Sequence, residues 1–108
     1  MEKKFKIKAE EIHQLLPYSY GYCFATDKIT IEGMEVGHMY RVTPADENDS
    51  GWIFLSGAET QSYIDNPANW AIYDVNTIAN YDPVIIDYLN EPVGCDFIRD
   101  KNNFVSLD

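Results

Sequence analysis

The 108-residue sequence predicts a single α+β domain: a largely antiparallel sheet of short strands with three or four short helices. Three observations predict it. Several short runs alternate apolar and polar residues, the period of a strand. Other stretches set apolar residues three and four apart behind cap residues, the period of a helix. Hairpin-like junctions outnumber strand–helix–strand crossovers, which favours antiparallel pairing. The length suits one hydrophobic core rather than two.

Phe5-Lys6-Ile7-Lys8 alternates and reads as a short first strand. In residues 9–16, Ile12, Leu15 and Leu16 fall on one helical face, and Pro17 closes that helix of about two turns. Residues 18–26 are rich in aromatic residues and read as a strand. Asp27-Lys28 reads as a turn into a short strand, Ile29-Thr30-Ile31, ended by Gly33. Residues 38–43 form another strand-like run, stopped by Pro44. Residues 45–51 carry three acids, an asparagine, a serine and a glycine, the clearest loop in the chain.

Trp52-Ile53-Phe54-Leu55 reads as a central apolar strand. Ser56-Gly57-Ala58-Glu59 fits a capping box ahead of a helix from about Gly57 to Ile64, which Asn66-Pro67 ends. Trp70-Ala71-Ile72-Tyr73 reads as a short buried strand, with Trp52 and Trp70 in the core. Asp74 can cap one helical turn through Ile78 and Ala79. Asp82-Pro83 starts another helix, with aspartate as cap and proline in the first helical position. Residues 95–99 and 104–107 flank Asp100-Lys101-Asn102-Asn103, a closing hairpin. About seven strands result.

The net charge of −10 is unevenly distributed. Residues 1–45 balance six acids with six bases, whereas residues 46–108 set twelve acids against Arg99 and Lys101. Such a field repels phosphate backbones and anionic lipid, so neither nucleic acid nor membrane is an expected partner. It attracts basic proteins. The N-terminal residues lack the apolar stretch of an export signal, so the chain is expected in the cytoplasm with Cys23 and Cys95 as buried thiols.

No catalytic constellation emerges. His13 and His38 have no partner at a metal-ligand spacing, and Cys23 could meet a histidine only through the fold. The six glycines are isolated, so no phosphate loop exists. No metal or cofactor is expected. Asp74, Asp82 and Asp87 are candidates for paired carboxylates, but the first two already serve as caps. The acids that remain are Asp46, Glu47 and Asp49 in the loop, with Glu59 and Asp65 near in sequence. They form one candidate partner-binding surface. A second candidate is a pocket around Asp74, Asn76, Asn80 and Tyr81, suited to a small molecule or a reaction.

Three strings carry a family resemblance: Gly21-Tyr-Cys-Phe-Ala-Thr-Asp27, Asp49-Ser-Gly-Trp-Ile-Phe-Leu-Ser-Gly57 and Ile72-Tyr-Asp-Val-Asn-Thr-Ile-Ala-Asn-Tyr-Asp-Pro83. Over about residues 18–99 the chain resembles the bacterial immunity protein 33 family, whose members are predicted to protect cells from polymorphic toxins. The resemblance implies a non-catalytic protein that binds a toxin and blocks its active site. It transfers no catalytic residue. The acidic second part suits a basic toxin such as a nuclease, since carboxylates can stand where substrate phosphates would.

Overall fold

Strand alternation places Cys23 and Ala25, Trp52 and Phe54, Met39, Phe97 and Phe104 on one side of a six-stranded sheet, all buried. The computed structural model describes residues 3–107; Met1, Glu2 and Asp108 lie outside it. The strands are β1 (Tyr22–Thr26), β2 (His38–Arg41), β3 (Asp49–Leu55), β4 (Trp70–Asp74), β5 (Asp96–Asp100) and β6 (Asn103–Ser106). Their order across the sheet is β4-β1-β3-β2-β5-β6. Only β1 and β3 pair in parallel; the other four pairings are antiparallel. The chain after β3 crosses beyond β1 to add β4 at the far edge. Three short α-helices, α1 (Asp27–Thr30), α2 (Gln61–Ile64) and α3 (Val75–Tyr81), join three 3₁₀ turns to complete an α+β domain.

The core lies between the sheet and one layer. Ile29, Val75, Ile78, Ile85 and Leu89 from the helices and turns pack on the inward strand residues. Trp52 and Phe54 are fully buried at its centre, with rings stacked 6.0 Å apart. The central place of β3, the closing hairpin and the cap roles of Asp74 and Asp82 agree with the sequence reading. Asp74 accepts from the Asn76 amide at 2.8 Å, and Asp82 from the Val84 amide at 3.2 Å. The element behind Asp82 is a 3₁₀ turn, Pro83–Tyr88, rather than an α-helix.

Elsewhere tertiary contacts overrule local pattern. Residues 5–8 form no strand, because no sheet edge receives them. The Lys6 amide donates to the Thr30 carbonyl and the Ile7 amide to the Tyr81 hydroxyl. The expected helix over residues 9–16 shrinks to a 3₁₀ turn, Ala9–Glu11. Beyond it the backbone is held extended by side chains of α3. Ile29 and Thr30 lie in α1, not in a strand, because that helix buries both completely against the core. The first aromatic strand begins only at Tyr22. Six strands are therefore described, one fewer than about seven.

The acidic loop ends at Asn48, and Asp49, Ser50 and Gly51 open β3. Gly51 is the reason that a loop-like string can sit there. Its φ is +82°, and a Cβ would lie 2.2 Å from the Val42 carbonyl oxygen, so only glycine fits this irregularity between the strands. Half of the capping box forms: Glu59 accepts from the Ser56 amide at 2.8 Å. The Ser56 hydroxyl instead takes the Ala58 amide, and α2 starts later, with Thr60 accepting from the Tyr63 amide. Finally, β4 is an edge strand, not a buried one. Ile72 is 60% exposed and Trp70 only half-buried.

Candidate functional site

All helices of the core pack on one side of the sheet, so the residues of opposite parity form a second face. Register runs a row across it: Ile72 beside Phe24, Phe24 beside Ile53, Ile53 beside Tyr40, Tyr40 beside Asp96. A second row joins His38, Ile98 and Val105. Ile72, Val105, Ile98 and Phe24 are exposed at 60%, 48%, 40% and 36%. Single exposed apolar side chains are ordinary, but neighbours across adjacent strands make a continuous surface of the kind that docks another molecule.

At one end of β1 the acidic loop folds against this face. Asp46 accepts from the Tyr22 hydroxyl at 2.9 Å and from the Asn48 amide at 2.8 Å. The bond to Asp46 raises the Tyr22 pKa and keeps its hydroxyl protonated. Asp49 accepts from the Ala45 and Gly51 amides, both at 2.8 Å, and so shapes the loop from within. Glu47 is exposed beside them.

At the other end of β1, Glu59 ties its own turn to the strand. It accepts from the Thr26 hydroxyl at 2.5 Å and from the Ser56 and Gly57 amides at 2.8 and 2.9 Å. Burial pushes the Glu59 carboxyl up, but the donors from Thr26 and Ser56 outweigh it and hold the group below its ordinary value of 4.5. A depressed carboxylate stabilises the fold above its unfolded pKa, and that contribution fades as pH falls through the lower folded value. Glu59→Gln is therefore expected to be less stable than wild type at neutral pH. Urea titrations over a pH series should show the gap narrowing from about pH 4.5 downward; a gap independent of pH would contradict this.

Asp65 follows α2 and is held by Gln61 Nε2 at 2.8 Å. It stands on the rim of an open groove of about 610 Å³. Phe24, Trp70 and Ile72 form its sheet side, and Ile64 and Pro67 its helical side. The five acids singled out in the sequence thus form two groups, Asp46, Glu47 and Asp49 at the start of β1, Glu59 and Asp65 at its end. Phe24 lies between them. Asp96 adds a further carboxylate on the same face, 2.7 Å from His38 Nε2.

The second candidate group faces the chain's own N-terminal segment. Asp74 caps α3. Asn76 Oδ1 accepts from the Leu15 and Leu16 amides, while Asn76 and Asn80 both donate to the His13 carbonyl. Tyr81 hydrogen-bonds Ile7 and Thr30. Tyr81 also lines a small cavity of about 180 Å³ with Phe5, Ile12 and Tyr73; Asp74, Asn76 and Asn80 do not line it.

Cys23 is completely buried, and burial, with Asp74 and Asp49 nearby, pushes its thiol well up. No hydrogen bond among the described residues joins it to His13 or His38. Nor do the described residues include a group of three or more His, Cys, Asp or Glu side chains placed to hold a metal ion.

Sequence reasoning missed Phe24, Ile53, Ile72 and Trp70 as surface residues. A signal existed in Tyr22-Cys23-Phe24-Ala25, which lacks the polar alternate of a half-solvated strand. Two apolar faces read equally well as complete burial, and only the one-sided packing of the helices separates the two cases.

The model of the immunity protein Imm33 domain family matches residues 23–107, from β1 through the closing hairpin. No curated protein and no solved structure matches the chain.

Proposed function

The chain belongs to the immunity protein Imm33 domain family, and from that membership we propose that it neutralises a cognate bacterial toxin by direct binding in the cytoplasm, without catalysis. The observation that carries the mechanism is the open sheet face, apolar along its rows and flanked by carboxylates at both ends of β1. Apolar centres with charged surrounds are how protein partners recognise one another. A protein with a net charge of −10 draws in basic partners, and a nuclease presents a basic substrate cleft. Carboxylates of the face would occupy the phosphate positions of that cleft. The toxin would be blocked without any bond being made or broken.

The test is co-expression with any toxin domain found encoded beside the gene, followed by calorimetry on the purified pair. Rescue of growth and a salt-sensitive Kd are expected. Reversing Asp46, Glu47, Asp49, Glu59 and Asp65 to lysine should weaken binding about tenfold or more. Asp46, Asp49 and Glu59 also hold backbone amides, so the Glu47→Lys, Asp65→Lys pair provides a variant with surface changes alone. If a folded variant of either kind binds the toxin as tightly as wild type, the acidic surface is not the contact.

A further inference from the structure

We infer that the groove between α2 and the open face of β1 and β4 seats an arginine-bearing segment of the protein partner, with the guanidinium against Asp65 and the stem along the apolar walls. The identity of that partner rests on the neutralising reading; the chemistry of the groove does not. At about 610 Å³ the groove holds more than one side chain and so fits a short segment with one anchor. Its walls are two aromatic rings, Phe24 and Trp70, with Ile64, Pro67 and Ile72, and Asp65 is its one charged member among the described residues.

That combination selects among occupants by charge and shape. A neutral apolar segment would cover the Asp65 carboxylate without pairing it, which costs free energy, and an anion would be repelled. Lysine satisfies the charge as a point. Arginine satisfies the charge and also lays a planar cation on an aromatic face, while its three methylenes lie on aliphatic surface. Two bonds hold the site in shape before anything arrives. The Trp70 indole Nε1–H donates to the Ile64 carbonyl at 2.9 Å, which fixes the ring between β4 and α2. Gln61 Nε2 donates to Asp65 Oδ1 and keeps the carboxylate at the rim. Such preorganisation lowers the ordering cost of binding.

The experiment uses ¹⁵N-labelled full-length chain titrated with N-acetylarginine amide and, separately, with N-acetylcitrulline amide, which keeps the shape and lacks the charge. The Trp70 indole N–H and the Ile72 amide should shift with the arginine probe and saturate in the millimolar range. The citrulline probe should bind about fivefold more weakly, and Asp65→Asn should remove that difference. Equal binding of the two probes, shifts confined to residues 46–49, or an Asp65→Asn protein that still discriminates would each overturn the assignment. A second arm separates the groove from the function. Ile72→Arg places a cation of the chain's own at the groove, at a position 60% exposed, and should weaken toxin binding about tenfold. A toxin that binds this variant like wild type overturns the groove as its seat and leaves neutralisation standing. A toxin that never binds wild type overturns neutralisation, while the arginine titration still reports on the groove.

Discussion

Replacing Arg99 by alanine is expected to cost about 3–5 kcal/mol of folding stability, because it strands a buried carboxylate. Asp82 is 4% exposed at the junction of α3 and the following 3₁₀ turn. Its oxygens accept from the Val36 amide at 3.0 Å, from the Val84 amide and from Arg99 Nη2. The guanidinium is equally committed. Its Nε donates to the Val36 carbonyl and its Nη1 to the Lys101 carbonyl, both at 2.8 Å, and it lies 5.1 Å from the Phe104 ring centroid. One ion pair therefore fastens the helical layer, the segment before β2 and the β5–β6 hairpin to one another. Without Arg99 the Asp82 charge has amides but no counter-charge, in a place that water hardly reaches.

Urea denaturation checks this through a lower midpoint at unchanged slope. The double variant Asp82→Asn, Arg99→Met should be more stable than Arg99→Met alone, since the isolated charge is gone. Losses that simply add, or a single variant within about 1 kcal/mol of wild type, would show that the pair is dispensable.

Asn76→Ala is expected to cost about 2–3 kcal/mol, from backbone groups left without partners. Asn76 is 8% exposed. Its Oδ1 takes the Leu15 and Leu16 amides at 2.8 and 3.2 Å, and its Nδ2 reaches the His13 carbonyl at 2.8 Å. Leu16 itself is core, 3% exposed, so its amide cannot turn to water without pulling the side chain out. Hydrogen exchange gives the local readout: the Leu15 and Leu16 amides should lose protection beyond what the global loss explains. Asn76→Asp keeps the acceptor and loses the donor, and should fall between wild type and alanine. If protection at Leu15 and Leu16 survives in Asn76→Ala, the clamp is not what holds this segment.

The same clamp explains why the N-terminal part of the fold was illegible in the sequence. Ile12, Leu15 and Leu16 have helical spacing, but a helix of that length is marginal by itself. Two asparagines more than sixty residues away offer hydrogen bonds that an extended chain can accept. Spacing describes what a segment prefers alone; Asn76 and Asn80 decide what it does in company. The misread Ile29-Thr30-Ile31 has the same origin, since burial of Ile29 and Thr30 outweighs the strand preference of β-branched residues.

Part of the candidate site was legible. Asp46, Glu47 and Asp49 stood out because charge in a Gly-, Ser- and Asn-containing string has nowhere to be buried. The apolar half did not, because an aromatic residue in a strand carries no mark of which face meets solvent.

By itself, then, the sequence determined what local chemistry can determine. Short apolar and aromatic runs bounded by turn residues specified β2, β3, β4 and the hairpin. Asp74 and Asp82 specified where helical turns begin, because a carboxylate beside free amides needs no distant partner. The strings from Gly21 to Pro83 pointed to the family, and the charge of residues 46–108 to an acidic surface. Only the tertiary structure decided which face of the sheet the helices cover, that β4 is an edge, and that Asp82 carries an ion pair beyond its cap. Each depends on groups distant in the chain being brought together, and the free energy of those meetings has no counterpart in a local window. The open face, with Asp46 at one end of β1 and Asp65 above its groove at the other, exists only after α1, α3 and the turn Pro83–Tyr88 have packed on the opposite side.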